Sequence, residues 1–278
     1  MRDFSPQDLP RLRRSAYDFL RLNAVGAWEH QHGNDRWQIF MPPEIEALPA
    51  RRRLRTHARQ EAQRLADAAL YDLSLEVTER ATLLGAAIRE NRHEEAVALA
   101  GRPTVVDTVG IRAPAASGFL RWRDPHGIGY NERGAPILAC HWGPAAGKGR
   151  WLVWWSDTRA MARSYAAEAD TRDMARILST GLLPIFGPLW YDHQQLLRPH
   201  DATAPPPDPA DADTEHDIDS SGVALIYTTL ATWWLLTTPD TAVHLSQQPA
   251  SAAEQAADRA AGLRPRPITV VTAANTVS

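Results

Sequence analysis

The chain has 278 residues, 44% of them apolar and 23% charged, a globular composition with core material for one large domain or two modest ones. Its single cysteine, Cys140, excludes an internal disulfide and a multi-cysteine zinc site and points to a reducing, cytoplasmic setting. The longest apolar run, 223–236, is broken by threonines and is shorter than the roughly 20 residues of a membrane span, and residues 1–20 lack the apolar core of a secretory leader.

From the N-terminus, Asp8 is placed to cap a helix over 9–25, where Leu12, Ala16, Phe19 and Leu20 share a face and Gly26 marks the end. A short turn opens at Pro42 and Pro43. Between 50 and 90, Leu54, Ala58, Ala62, Leu65, Ala69, Leu73, Val77, Ala81, Leu84 and Ile88 recur at helical spacing, predicting one helix of roughly forty residues or two in line. A shorter helix over 93–100 closes at Gly101 and Pro103. The period then changes, and strands are predicted at 104–111, 118–123, 135–142 and 150–156, separated by turn-rich loops as in an antiparallel meander. Six of the ten tryptophans, Trp122, Trp142, Trp151, Trp154, Trp155 and Trp190, mark this stretch as the densest core. Trp151, Val153 and Trp155 alternate with Leu152 and Trp154, so both faces of that strand are apolar and it is central.

Helices follow at 158–169 and 171–179 with Asp157 and Asp170 as caps, and Pro184, Gly187 and Pro188 make 182–197 irregular. Residues 198–222, rich in Pro and Asp and almost without large apolar side chains, read as a disordered acidic linker. A buried helix at 222–236, an alanine-rich helix at 250–261 and a strand at 267–272 returning to the sheet complete the chain. The expected fold class is α+β: a central antiparallel Trp-rich sheet with helices packed on it and a long N-terminal helical segment. All of it forms one domain over 1–278, with a helical part at 1–101, a sheet core at 102–197, the linker and the closing elements.

Arg51, Arg52, Arg53, Arg55 and Arg59 are the sharpest basic cluster, followed by Arg64 on the same helix. Cations near a helix N-terminus are unfavourable by about 0.3 to 1 kcal/mol each, so something else is expected to require them. The choices are nucleic acid, an acidic protein partner or the chain's own acidic linker. The net charge of −3 is unevenly spread to match: residues 1–64 carry 12 arginines against 8 acids, and residues 200–278 carry 3 against 10.

The loop GPAAGKGR at 143–150 resembles a phosphate cradle, but three residues instead of four separate its first glycine from the Gly-Lys pair and no Ser or Thr follows, so it reads as a hairpin turn. Cys140 and His141 would lie on opposite faces of a strand. Cys140 is then a small hydrophobe beside Leu138 and Trp142, and His141 a hydrogen-bonded core histidine unless a distant partner makes it catalytic. Glu29, His30 and His32 could present two histidines on one side of an extended segment, and Asp192 with His193 offers another ligand pair, but spacing does not place a third ligand beside either, so solvated loop residues are the reading and no metal or cofactor is expected. Asp157 reads as a helix cap.

The stretches GFLRW at 118–122, PILACHWGP at 136–144, WLVWW at 151–155 and DRAAGLRPRPITVV at 258–271 resemble uncharacterised proteins of GC-rich actinobacteria and their mobile elements, a source that accords with Lys148 as the only lysine. The resemblance implies a layout, with no activity attached. The expectation is a non-enzymatic intracellular interaction or regulatory protein, from a mobile element or defence locus, holding an unknown protein partner or nucleic acid through Arg51, Arg52, Arg53, Arg55 and Arg59. No membrane is involved. The alternative is a hydrolase or nuclease-like enzyme or toxin using His141, His193, Asp157 and Asp192 at the sheet edge.

Overall fold

The computed structural model describes residues 5–32, 48–101, 111–123, 135–145, 149–167, 187–197, 220–239 and 241–274. Helix α1 (Leu9–Asp18) passes through a π turn (Phe19–Asn23) into α2 (Ala24–His32). Asp8 does not cap α1: its carboxylate takes the Ser5 N–H at 2.8 Å and pairs with Arg11 at 2.7 Å, serving the turn Pro6–Asp8 instead. Gly26 does not end the helix either. An interior glycine costs about 1 kcal/mol, and burial of Ala24 and Trp28 on either side of it outweighs that.

The predicted continuous helix over 50–90 is instead α3 (Ala50–Ala66), strand β1 (Ala69–Leu73) and α4 (Leu75–Arg89). Its apolar spacing misleads because β1 has hydrogen-bonded strands on both sides and apolar residues on both faces, so it shows no alternation. Helix α5 (His93–Ala100) closes at Gly101, whose φ of 73° is the left-handed conformation expected there.

Strands β2 (Gly118–Arg121), β3 (Ile137–Pro144) and β4 (Arg150–Asp157) form as anticipated. After α6 (Thr158–Ala167), strand β5 (Leu189–Leu197) replaces part of the irregular stretch expected over 182–197; Gly187, at φ 64°, turns the chain into it. Helix α7 (Ser220–Thr237), strand β6 (Val243–Gln248), helix α8 (Ala252–Ala260) and strand β7 (Ile268–Ala273) follow, of which β6 was not anticipated. The strand at 104–110, the helix at 171–179, the turn at Pro42 and most of the acidic linker lie outside the described residues.

The seven strands form one sheet in the order β5-β4-β3-β2-β1-β7-β6. It is mixed, not antiparallel: β1 runs parallel to both β2 and β7, and the remaining pairs are antiparallel. The α+β class holds, and the parallel centre was hidden because β1 lies in a segment whose spacing is helical.

Helices cover both faces. Leu12, Phe19 and Trp28 from α1, its π turn and α2, with Leu54 and Leu65 of α3, pack on Leu70, Phe119, Val153 and Trp155. On the opposite face Val77 of α4 and Leu225 and Trp233 of α7 pack on Tyr71, Leu120, Trp142 and Trp154. The threonines that break the apolar run of α7 have a job there: Thr232 accepts the Trp122 indole N–H at 3.3 Å and Thr229 that of Trp154 at 3.1 Å. A wholly buried Arg13–Asp258 pair at 2.7 Å ties α1 to α8.

Candidate functional site

Helix α3 is amphipathic in an unusual way. Leu54, Ala58, Ala62 and Leu65 define its buried stripe, and His57, Glu61 and Arg64 fall within that stripe at helical spacing. A buried carboxylate is costly unless paired and hydrogen-bonded, and Glu61 is both. His141 on β3 lies 2.8 Å from its Oε2, and Arg64 pairs with its Oε1. The Arg64 Nε–H donates to the Pro144 carbonyl at 2.9 Å, and its stem crosses Gly143, where a Cβ would come within 2.4 Å of it. That close approach accounts for a glycine at this point of the GPAAGKGR segment.

The tautomers follow from the partners. The Trp155 indole N–H donates to Nδ1 of His141 at 2.9 Å, so His141 carries its proton on Nε2 and donates it to Glu61. His57 Nε2 meets Oε1 of Gln194 at 2.8 Å, and the Tyr191 hydroxyl donates to the same oxygen. Trp28, Trp151 and Trp155 wall the cluster, with Trp28 and Trp151 rings 5.5 and 5.8 Å from the His57 ring. Burial pushes both histidines below the usual imidazole range, so they are held neutral. Burial alone would raise Glu61, but the His141 hydrogen bond and the Arg64 charge hold it below the ordinary carboxylate range. Burial, reinforced by Glu61, lifts the Tyr191 phenol well above 10.

His57, Glu61 and His141 are 0% exposed and closed to solvent, while Tyr191 and Gln194, their partners on β5, are half-buried. The cluster locks α3 to β3 and β5. A second buried group does the same for the parallel strands, where Asp72 of β1 pairs with Arg121 of β2 and, at 2.8 Å, with Arg123.

His141, His193, Asp157 and Asp192 are not brought together. His141 is committed to Glu61 and Trp155. Asp157 accepts the Ala160 N–H at 2.7 Å and caps α6; it lies four residues along β4 from Val153, the residue opposite His141, a separation of about 13 Å. Asp192 and His193 sit in a β-bulge of β5 opposite Trp154, where an extra residue lets neighbouring side chains meet, and His193 Nδ1 lies 2.6 Å from the Asp192 carboxylate. The residues of β5 that share the His141 face are Tyr191 and Gln194. Cys140 points to the other face, with Trp142 as expected but with Ile137 in place of Leu138, because a bulge between Ile137 and Ala139 shifts the alternation. Burial raises its thiol strongly, which makes it inert.

His30 and His32 end α2 in helical backbone, not the extended segment on which grouping them depended. Among the described residues no group of three or more His, Cys, Asp or Glu side chains is arranged to hold a metal ion, and no helix is long and apolar enough to cross a membrane. Lys148 lies outside the described residues, but the Ala145 N–H donates to the Gly149 carbonyl at 2.9 Å, so the GPAAGKGR segment closes a β3–β4 hairpin.

The outer side of α3 is different in character. Arg51, Arg52, Arg55 and Arg59 are exposed and Arg53 is half-buried. Arg51 pairs with Glu29 at 3.0 Å. Arg52, Arg55 and Arg59, at i, i+3 and i+7, share one arc of the helix over about 10 Å of its length and form no ion pair among the described residues.

Protein-family models, curated proteins and solved structures give no match to this chain. Of the residues that matter, His57, Glu61, Tyr191 and Gln194 escaped sequence reasoning, and Arg64 was grouped with the basic cluster instead of the core. The available signal was His57-x3-Glu61-x2-Arg64 inside an apolar stripe, a pattern that a solvated face does not need.

Proposed function

We propose that the protein is a non-enzymatic interaction protein that captures an acidic segment of a partner protein on the outer face of α3. The observation that carries this reading is the row of Arg52, Arg55 and Arg59, exposed and without an acid among the described residues. Their guanidinium groups remain charged at any physiological pH and present forked donors that match carboxylates. Their mutual repulsion at i, i+3 and i+4 works against the helix, so the row is retained at a cost that a ligand would offset.

Two observations favour an acidic protein over nucleic acid and over catalysis. The chain as a whole carries −3, so the basic row is a local patch on an acidic molecule, whereas nucleic-acid binding normally rests on a basic domain. In the cluster where an active site would be sought, the His57, Glu61 and His141 side chains are sealed from solvent.

Fluorescence anisotropy at about 50 mM and 200 mM salt, with labelled polyglutamate, a labelled DNA duplex and labelled polylysine as probes, tests the reading. Polyglutamate should bind, bind more weakly at the higher salt as screening predicts, and bind more tightly than the duplex; polylysine should not compete. A duplex that binds more tightly than polyglutamate makes the partner a nucleic acid. No binding of either polyanion removes the proposal.

A further inference from the structure

The two edges of the sheet are built differently. β5 carries the bulge at Asp192 and His193, and an irregular, charged edge resists pairing with another strand. β6, at the opposite edge, has none of these protections. Its sequence, Val-His-Leu-Ser-Gln-Gln, contains no Asp, Glu, Lys or Arg and no proline, and its pairing with β7 is regular over all six residues. His244, Leu245, Ser246 and Gln247 are exposed, and Leu245, at 44%, is the exposed large apolar residue of the sheet among the described residues.

The direction of its unpaired backbone groups follows from the register. The Ala274 N–H donates to the Ala242 carbonyl at 3.0 Å, so position 242 faces β7. Since hydrogen-bonding direction alternates along an antiparallel strand, 244, 246 and 248 also face β7, and Val243, Leu245 and Gln247 turn their N–H and C=O groups outward.

We infer that β6 is a self-complementary docking edge on which a second copy of this chain adds its own β6, antiparallel, about a two-fold axis through Leu245. An axis perpendicular to the sheet keeps the two faces matched and requires a residue to sit opposite its own copy. Centred on Leu245, the pairing sets Leu245 against Leu245 and Val243 against Gln247 twice. All three outward-facing residues then exchange both backbone bonds, about six in total by the antiparallel rule, and the exposed leucine is buried against its copy. Centred instead on Ser246, the pairing would oppose Val243 to Pro249, which has no N–H to give. The central position matters most here: the two-fold pairing sets residue 245 against its own copy, and an apolar leucine stands there instead of a charge.

Sedimentation equilibrium of the full chain at about 1 to 100 µM tests the inference, with hydrogen exchange of the 243, 245 and 247 amides over the same range. The expected result is a concentration-dependent mass approaching twice 30.8 kDa, with those three amides gaining protection as the dimer fills. Leu245→Lys should abolish the dimer by setting two cations face to face. Gln247→Pro should weaken it at least tenfold by removing an outward donor; the β6–β7 ladder stays intact, so loss of the fold is not an expected explanation. Ser246→Ala should leave it unchanged. A monomeric wild-type chain at 100 µM, or a dimer that survives both Leu245→Lys and Gln247→Pro, would overturn the inference.

Discussion

Glu61 carries the tightest set of constraints in the molecule, since one buried carboxylate is shared by His141 and Arg64 with His57 Nδ1 3.8 Å away. Removing one partner from such a cluster costs about 3 to 5 kcal/mol because the others stay buried and unpaired. Its consequence for pH can be given a sign. His57 and His141 have folded-state proton affinities below the ordinary imidazole value, so the unfolded chain takes up their two protons as pH falls below about 6.5 while the folded chain does not. Stability therefore falls with acidification, by up to about 1.4 kcal/mol per pH unit for each histidine. Glu61, held low in the fold, adds a loss in the same direction below about pH 4.5. Urea unfolding at pH 7.5, 6.5 and 5.5 should show the decline, and His141→Gln should roughly halve its slope between pH 6.5 and 5.5. A flat profile in the wild-type chain would mean that the histidines are not held neutral. At this scale the reading of His141 as a hydrogen-bonded core histidine was legible, because strand alternation separates it from Cys140. Its partner was not: no local pattern says which helix face will cover β3, and Arg64 looks in sequence like a sixth member of the exposed arginine cluster.

Among elements, α3 shows how one helix serves two purposes. Its inner stripe fixes it to three strands, and its outer stripe carries the exposed Arg52, Arg55 and Arg59. The neighbouring pair α4 and α7 shows how closely two helices can approach. A Cβ on Gly85 of α4 would lie 2.8 Å from the Thr228 backbone nitrogen of α7. Gly85→Ala should therefore destabilise the protein by about 1 to 3 kcal/mol, although alanine is the better helix former; differential scanning calorimetry reads this as a lowered Tm. An unchanged or raised Tm would show that the two helices have room to separate. The helices α5 and α7 and the strands β2, β3 and β4 were legible from periodicity and end signals. β1 was not, since Leu65, Ala69, Leu73 and Val77 satisfy a helical period by accident of a strand buried on both faces. β5 and β6 were missed for different reasons: Gly187 and Pro188 mask the start of β5, and β6 is too polar to look like a strand at all.

The whole molecule joins a buried sheet rich in tryptophan to two surfaces, the outer row of α3 and the β6 edge, that are exposed among the described residues. Its mixed topology follows from β1 and β7 entering the centre of the sheet in parallel, an arrangement that the α+β reading accommodates and the antiparallel expectation did not. The arginine surface was legible in outline only. The five arginines could be found by eye, but sequence could not say that Arg51 is paired, that Arg53 is half-buried, or that Arg52, Arg55 and Arg59 form the exposed row. The catalytic alternative rested on four residues that the fold assigns to a buried lock, a helix cap and a bulge.

If binding and folding use opposite sides of α3, one can be removed without the other. The most direct test is charge reversal of the outer row, Arg52→Glu, Arg55→Glu and Arg59→Glu together, with polyglutamate affinity and Tm measured on the same preparation. Exposed charges contribute about 0.2 to 1 kcal/mol each, so the expected result is at least a tenfold loss of polyglutamate affinity with Tm lowered by no more than about 10 °C. Retained affinity, or a collapse of Tm, would contradict that separation.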